Sequence, residues 1–353
     1  MGSVGLTKLR EVDLRRFAFG GCRLRMIGCV VLGCCSMVVR AQDVKAYTYV
    51  RVGNATDVSA KTEAGFALMG GGTDLDEAFR WMCAHSGGGD FLILRSHGSD
   101  DYNGYVQGVC HENSVATLVI PSRAAASDAK VAEIIGKAEA IFIAGGDQSE
   151  YINFWKGTPV QDAVNAAIRR GVPVGGTSAG LAVQGEFIYS AQNDAKDEEN
   201  LSSKAALADP FQHQVVVVRG FLENPLLADT ITDSHFVRRD RLGRLLVMMA
   251  RVLDEEQVKQ LKGMGIDQET AVLVEASGEA KVVGKGAVYF LRAGGKPALV
   301  KKGAALEFGP VSAVKVSAGG GFDVKGWTGD AAGYEYTVVH GVVTSSRAGG
   351  GIY

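Results

Sequence analysis

The chain has 353 residues, of which 46% are hydrophobic and 22% are charged. This composition is typical of a globular protein with a buried core, and the length fits one or two domains. The formal net charge is −2 at pH 7, so no excess of positive charge favours a nucleic-acid partner.

The first 41 residues differ in composition from the rest of the chain. They hold seven basic and two acidic residues, and an apolar run of 14, "MIGCVVLGCCSMVV", lies just before "RAQ". A basic flank, a short apolar segment and the small residue Ala41 predict a signal peptide over 1–41 and therefore export to the periplasm or the cell exterior. A buried N-terminal element of the fold and a lipid-attachment site at Cys34 are the alternatives. The run is shorter than the ~20 residues that a membrane-spanning helix needs, so no span is expected in the mature chain.

Only two of the six cysteines, Cys83 and Cys110, lie outside this leader. In an exported protein such a pair can form one disulfide, although two buried thiols fit the sequence as well. The remaining chain carries 30 basic and 37 acidic residues, and it has no Cys-x-x-Cys or His-x-x-x-His spacing. We therefore predict no metal site and no cofactor.

Strand-like and helix-like patterns alternate from residue 66 to about 180. The strand-like runs are "FALMG", "FLILRS", "SVATLVI", "IFIAGG" and "VPVGG". Between them, "TDLDEAFRWMCAH" has apolar residues at helical spacing, and Thr73 is the expected cap. "TPVQDAVNAAIRRG" begins with Thr158 and Pro159 and stops at Gly171, which is a helix with both ends marked. Such alternation predicts an α/β fold whose parallel sheet has helices on both faces.

Helical patterns disappear after about residue 270. The segments "AVLVEASGEAKVVGKGAVYFLRAGG" and "GFDVKGWTGDAAGYEYTVVHGVV" have the alternation and the glycine-rich turns of β-hairpins. We therefore predict a main domain over 44–290 and a β-rich extension over 291–353. No pattern indicates an oligomeric state.

The segment "VPVGGTSAGLAVQG" carries a Gly-x-Ser-x-Gly motif centred on Ser178. In a nucleophile elbow, a strand precedes the serine, a helix follows it, and small residues on either side allow the chain to reverse sharply. The same pattern also fits a structural turn. A serine nucleophile needs a base, and His235 in "ITDSHFVRRDRLGRLL" follows a strand-like run just as Ser178 does. His85, by contrast, ends a helix-like stretch, where a histidine can be solvated.

Four blocks of the sequence together suggest a family. "AGGDQ", "GGTSAG", "DSHFVRRDRLGRLL" and "GIDQETAVLVE" follow one another along the chain. Each resembles a block of the cyanophycinase and aspartyl dipeptidase family of serine peptidases, and the cyanophycinase branch is the most similar. The resemblance covers about 64–290. It implies a three-layer α/β fold with a mostly parallel sheet, flavodoxin-like and similar to class I glutamine amidotransferases, and a Ser-His-Glu triad.

The resemblance also implies roles for individual residues. Ser178 would be the nucleophile and His235 the base, with the N–H groups of Ala179 and Gly146 as the oxyanion hole. Residues expected to contact the substrate are Gln148, Asp233, Arg239, Arg241 and Arg244. The arginines would bind substrate carboxylates and Asp233 a substrate arginine. Internal salt bridges at a solvated helix start are the alternative role of the arginines. The glycines of "MGGGTD" are expected near the same edge of the sheet.

Two positions depart from the family pattern. Ser234 stands where the family usually has glutamine, and Gln268 stands where it has the glutamate that orients the histidine. An amide can hold the histidine tautomer but cannot supply the negative charge that stabilises an imidazolium. Glu269 would be a substitute only if a bulge or a loop turned it to the same side.

The sequence therefore predicts an exported serine peptidase that cleaves amide or isopeptide bonds of aspartate-rich peptides such as cyanophycin. A binding protein without turnover, in which Gln268 has removed the activity, is one alternative. An esterase-type hydrolase is the other.

Overall fold

Two mixed β-sheets form the framework of the protein in a computed structural model that describes residues 46–195, 200–256 and 258–353. The signal peptide predicted over 1–41 lies outside these residues. The described strands are β1 Thr48–Gly53, β2 Gly65–Met69, β3 Asp90–Arg95, β4 Ser114–Val119, β5 Ala140–Ile143, β6 Val174–Thr177, β7 Phe187–Tyr189, β8 Val217–Arg219, β9 Thr230–Asp233, β10 Gln260–Ile266, β11 Thr270–Glu275, β12 Glu279–Gly284, β13 Ala287–Gly294, β14 Phe308–Ser317, β15 Gly321–Asp323, β16 Thr328–Gly329, β17 Tyr334–Val339 and β18 Val342–Ser345.

The helices lie almost entirely in the first three quarters of the chain, as the sequence predicts. They are α1 Asp76–Ser86, α2 Asp101–Cys110, α3 Arg123–Ala126, α4 Ala129–Gly136, α5 Gln148–Trp155, α6 Pro159–Arg170, α7 Ala179–Ala182, α8 Ser203–Ala208 and α9 Leu242–Glu255. None of the described helices is long and apolar enough to cross a membrane.

The first sheet has ten strands in the order β1-β4-β3-β5-β6-β2-β11-β12-β15-β16. Its five central strands, β4, β3, β5, β6 and β2, are parallel, and β2, β3 and β5 are buried along nearly their whole length. The strands on either side of this centre are antiparallel to their neighbours. The sheet is therefore mixed, and the prediction of a mostly parallel sheet holds for its centre alone. Tight hairpins such as β11–β12 can only be antiparallel, which explains the difference.

The second sheet has eight strands in the order β18-β17-β14-β13-β10-β9-β7-β8. It is antiparallel except at β9, which runs parallel to both β10 and β7. The domain boundary predicted after residue 290 falls inside β13, and the residues beyond it supply strands to both sheets. The described residues from 46 onward belong to one compact unit. The C-terminal strands are therefore continuous with the sheets that carry the candidate site.

Helix α9 packs against the second sheet and anchors its hydrophobic core. Eleven of its residues are buried, and the core around it includes Phe236 as well as Tyr289 and Tyr336 from the C-terminal half of the sheet. The half-buried residues Ile352 and Tyr353 pack against this same cluster. The end of the chain therefore lies close to the start of α9.

Helices α1 and α6 follow the predicted pattern, with one difference at a cap. Helix α6 has Thr158 at its N-cap, Pro159 in the first turn and Gly171 in the left-handed conformation at its end. Helix α1 begins at Asp76 and has Leu75 rather than Thr73 at its N-cap position. The Leu75 carbonyl accepts the first turn's N–H groups, and Asp74 accepts a hydrogen bond from Tyr102 instead of capping the helix.

A disulfide joins helices α1 and α2 through Cys83 and Cys110. This settles the two alternatives that the sequence left open for these cysteines. His85, near the end of α1, is buried rather than solvated. Its Nδ1 lies 2.8 Å from the Trp81 carbonyl oxygen and its Nε2 lies 2.9 Å from the Glu275 carboxylate.

Candidate active site

Strand ends from both sheets converge on one side of the molecule. Ser178 directly follows β6, and His235 is the second residue after β9. Gln268 lies just after β10, which is parallel to β9. The carboxyl ends of the parallel strands β9 and β10 share one edge of the second sheet, which brings His235 and Gln268 together, and Ser178 reaches His235 from the first sheet.

Ser178 lies in a strained turn between β6 and α7. Its φ of 53° and ψ of −109° are unusual for a residue with a side chain. The flanking glycine Gly180 is required by close packing, because a Cβ there would lie 1.9 Å from the Ile143 carbonyl oxygen. The strand, the sharp turn and the short helix match the geometry of a nucleophile elbow.

Ser178, His235 and Gln268 form a continuous chain of contacts. The Ser178 Oγ lies 2.7 Å from the His235 Nε2, and the Gln268 Nε2 lies 2.6 Å from the His235 Nδ1. The backbone N–H of His235 donates a hydrogen bond of 2.7 Å to the Gly70 carbonyl. This is the spacing of a nucleophile, its base and a residue that orients the base.

The orientation of the Gln268 amide determines which nitrogen of His235 carries the proton. With the amide nitrogen toward the ring, the amide donates to Nδ1, and the imidazole proton then lies on Nε2, facing Ser178. With the amide turned over, its oxygen accepts a proton from Nδ1 and leaves Nε2 free to accept the serine proton. Only the second arrangement allows His235 to act as a base toward Ser178.

The surroundings of His235 favour its neutral form. Burial lowers the pKa of His235 from its ordinary 6.5 to about 4, and the positive charges of Arg239 and Arg241 act in the same direction. Asp233 opposes this shift but does not overcome it. A neutral imidazole at physiological pH is the state that a general base needs.

Glu269 does not contact His235 in the described structure. It has a φ of 51°, and its carboxylate forms an ion pair with Lys285. Its N–H donates to the Gly71 carbonyl, which anchors this turn beside the site. Of the two residues considered for the acid's place, Gln268 is the one that faces the histidine.

The groups predicted for the oxyanion hole come from α7 and from the turn after β5. Ala179 is the first residue of α7, so its N–H has no acceptor within the helix. The turn after β5 passes close by, since a Cβ at Gly145 would lie 3.6 Å from the Ser178 Cβ. Gly146 is exposed in this turn, and Gln148 is half-buried at the start of α5.

Asp233 and Arg244 are paired with each other and buried. The Arg244 Nε donates to the Asp233 carboxylate at 2.7 Å, and one terminal nitrogen donates to the other carboxylate oxygen at 2.5 Å. Both side chains are only 2% exposed, and the Arg244 guanidinium lies over the Tyr189 ring. The Asp233 carboxylate is therefore engaged by Arg244, and one terminal nitrogen of Arg244 is buried without a hydrogen-bond partner. The contacts of Asp233 with a substrate arginine and of Arg244 with a substrate carboxylate stay predictions.

Arg241 is also buried and forms hydrogen bonds within the protein. One of its terminal nitrogens donates to the Ser234 carbonyl at 2.8 Å and to the Ser234 hydroxyl at 3.1 Å. Burial lowers the pKa of Arg241, and the nearby positive charge of Arg244 adds to this effect. Arg239, in contrast, is exposed to solvent. Of the predicted arginine trio, Arg239 is the member that a ligand can reach.

Two contributors to the site had only a weak signal in the sequence. Gly71, from the "MGGGTD" segment, has a φ of 88°, and a Cβ there would lie 2.5 Å from the His235 Cε1. Asp267 accepts hydrogen bonds from the N–H groups of Val237 and Ala287, both at 3.1 Å, and so holds the segment after the histidine against β13. The glycine run was expected near this edge. Asp267 was part of a matched block, but nothing in that block indicated a bridging role.

Within the described residues, one group of three side chains has the proximity of metal ligands. It consists of Cys83, Cys110 and Glu112, far from Ser178 in the sequence. The two sulfur atoms are bonded to each other, so they do not offer thiolates to a metal.

Comparison with known proteins identifies the family. Residues 95–280 match peptidase family S51, and this region is more than half of the chain. The chain belongs to peptidase family S51. The matched region holds Ser178, His235 and Gln268 and extends into β12 of this S51 protein.

Several cyanophycinases are similar to this S51 family member. The cyanophycinase of Trichormus variabilis is 29% identical over 175 residues, which cover 49% of this chain and 52% of the relative. That of Geminocystis herdmanii is 29% identical over 172 residues, or 48% of this chain and 56% of the relative. The chain thus spans about half the length of the curated relatives it matches. A solved peptidase from an acI-B1 Actinobacterium covers 75% of this chain and 98% of its own, at 17% identity and a TM-score of 0.47.

Proposed function

We propose that this S51 family member is an exported serine peptidase that hydrolyses amide or isopeptide bonds in aspartate-rich peptides. The observation that carries the proposal is the contact chain from Ser178 through His235 to Gln268, built on a strained strand-to-helix turn. The similarity to cyanophycinases supports cyanophycin-like material as the substrate class. The composition of residues 1–41 supports export.

The proposed reaction is an acyl transfer to serine followed by hydrolysis. The Ser178 Oγ attacks the scissile carbonyl carbon while the His235 Nε2 accepts the hydroxyl proton. The N–H groups of Ala179 and Gly146 donate to the oxyanion, and the tetrahedral intermediate collapses when His235 returns the proton to the leaving amine. Water then attacks the acyl carbon while His235 accepts one of its protons, and His235 returns this proton to the Ser178 Oγ as the bond between Ser178 and the acid product breaks. Substrate and water balance the reaction without a cofactor.

Arg239 is proposed to bind a carboxylate of the substrate. It is exposed, and its backbone N–H donates a hydrogen bond of 3.0 Å to the His235 carbonyl, so it lies beside the histidine. The aspartate backbone of cyanophycin presents such carboxylates, and a guanidinium binds them with two parallel hydrogen bonds. Gln148, half-buried at the start of α5, is proposed to line the same pocket. Arg241 and Arg244 would act indirectly, by fixing the segment that carries Arg239.

The order of the parallel strands is compatible with the flavodoxin-like architecture expected from the sequence. Strands β4, β3, β5 and β6 stand in the order 2-1-3-4 when numbered from β3 onward. This is the beginning of the flavodoxin order, and β2 takes the place of the fifth strand. The finer fold assignment is part of the proposal.

Release of dipeptides from cyanophycin by purified protein starting at residue 42, measured by mass spectrometry, tests the proposal. The native chain is expected to release dipeptides and Ser178→Ala to release none. Ser312→Ala, an exposed serine on β14, is the matched control and should behave as the native chain does. Equal release by the native chain and Ser178→Ala would overturn the proposal. Hydrolysis of small esters without release from cyanophycin would indicate the esterase-type reaction instead.

A further inference from the structure

The segment that carries His235 is held in place by the far end of the chain. Phe236, the residue directly after the catalytic-base candidate, is fully buried, and its ring covers Gly265 so closely that a Cβ there would lie 2.4 Å from it. On another side it meets the rings of Tyr289 and Tyr353, at centroid distances of 5.2 and 6.0 Å. The direction of the His235 backbone therefore depends on how this ring is enclosed.

Tyr353 also makes polar contacts at the other end of the same segment. Its hydroxyl accepts a hydrogen bond of 3.0 Å from the N–H of Leu242, the first residue of α9, and donates one of 2.7 Å to the Asp240 carboxylate. A helix start leaves such N–H groups without internal acceptors, so the tyrosine hydroxyl acts as a cap supplied from outside the helix. Arg241 lies between these two contacts.

The backbone conformation of this segment needs external support. His235 and Asp240 both have a φ of 47°, which side-chain-bearing residues adopt only when their surroundings enforce it. The tail itself is fixed, because Tyr336 donates to the Ile352 carbonyl at 2.6 Å and Arg347 donates to the Tyr353 carbonyl at 2.7 Å. Tyr353 is therefore held by the second sheet and can hold the segment after His235 in place.

We propose that Tyr353 is a positioning residue for the S51 reaction: its ring and hydroxyl together fix the segment from His235 to Arg241, and with it the base and the reachable Arg239. This inference rests on the proposed function. It assigns the β-rich C-terminal region a role in the site, through the contact between Leu242 and Tyr353, which are 111 residues apart in the sequence. Tyr353 touches neither Ser178 nor His235, so it acts through Phe236 and the start of α9.

The test compares Tyr353→Ala, Tyr353→Phe and the control Tyr334→Phe. Tyr334→Phe also removes a buried hydroxyl contact in the second sheet, the one between Tyr334 and Tyr336. Misplacement of a catalytic group by ~1 Å can cost about 10²-fold in rate, so Tyr353→Ala is expected to lower kcat/KM for dipeptide release by about 10- to 100-fold. Tyr353→Phe keeps the ring and should lose up to about fivefold, the equivalent of one hydrogen bond. Tyr334→Phe should match the native chain.

A second readout does not depend on turnover. NMR titration of the His235 ring, assigned by its absence in His235→Ala, gives the pKa of the imidazole directly. The pKa is expected near 4 in the native chain and in Tyr334→Phe, and to rise toward 6.5 in Tyr353→Ala as the segment loosens. If Tyr353→Ala does not fold, the expected partial rise in Tyr353→Phe decides the question. A Tyr353 variant that melts earlier but keeps the native His235 pKa and kcat/KM would overturn the inference. An inactive native chain would overturn the proposed function while the titration still reports on Tyr353.

Discussion

If the proposed peptidase function holds, replacing Gln268 by glutamate should make the hydrolysis faster. The Gln268 amide lies 2.6 Å from the His235 Nδ1, so a carboxylate of nearly the same shape would reach the same nitrogen. A carboxylate has no donor when ionised and can only accept the Nδ1 proton, which fixes the tautomer that leaves Nε2 free for Ser178. It also adds the negative charge that an imidazolium needs in the transition state.

The size of the effect follows from the distance. Opposite unit charges ~4 Å apart interact by about 4 kcal/mol at an effective dielectric constant of ~20. This corresponds to about 10³-fold in rate and about three pKa units. The His235 pKa, about 4 in the native chain, should therefore move to near 7 in Gln268→Glu. The carboxylate also fixes the correct histidine tautomer, which raises the rate further. In a serine protease whose triad aspartate is replaced by asparagine, the wrong tautomer lowers the rate by about 10⁴-fold. We expect kcat to rise by roughly 10²- to 10⁴-fold.

The assay is single-turnover release of dipeptide from cyanophycin across the pH range. Gln268→Met, which removes both polar atoms at similar volume, should be slower than the native chain. Glu269→Gln should be unchanged, because Glu269 pairs with Lys285 and not with His235. A Gln268→Glu variant that folds normally but is no faster than the native chain would refute the reasoning. Loss of activity in Glu269→Gln would show that the neighbouring acid supports the histidine.

Three further predictions concern pH, the arginines and the disulfide. Because the His235 pKa is lowered in the folded protein, native kcat/KM should stay constant as the pH falls through 6.5 and should drop only near pH 4. A drop in kcat/KM centred near pH 6.5 would contradict the burial of His235. By linkage, the unfolded chain binds more protons than the folded chain between these values, so His235 should lower the stability as the pH falls from 6.5 to 4. Arg244→Ala leaves the buried Asp233 carboxylate unpaired and should lower the free energy of unfolding, measured by urea denaturation, by about 3–5 kcal/mol. Arg239→Ala should leave the free energy of unfolding unchanged and raise KM. Cys83→Ser combined with Cys110→Ser should lower the free energy of unfolding by about 3–4 kcal/mol, as expected for a loop of this length, and an equal stability of the reduced and oxidised protein would contradict it.

The sequence is informative where a local pattern determines the structure. Short apolar runs predict the five central strands of the first sheet, and Pro159 and Gly171 mark the ends of α6. Ser178 and His235 could be singled out because each follows a strand, and strand ends meet at a sheet edge. Gln268 required the resemblance to a family, since nothing in its local sequence distinguishes it from other glutamines.

The rest depends on contacts between distant residues. The bidentate pair of Asp233 and Arg244 cannot be read from the sequence, because a charged pattern after a strand is equally compatible with solvent-facing side chains. The sequence did not predict that eight of the strands form a second sheet, because they come from both halves of the chain. Tyr353 gives no signal at all, since its role depends on packing against Phe236.

The central claim is that Ser178 is a nucleophile activated by His235. Its most direct test is covalent labelling with a fluorophosphonate, followed by peptide mass spectrometry to locate the modified residue. The account predicts a label on Ser178 in the native chain and faster labelling in Gln268→Glu. In His235→Ala, labelling should slow by at least about 10²-fold, the smallest usual contribution of a general base. A label on a different residue, or labelling of His235→Ala at the native rate, would contradict the claim.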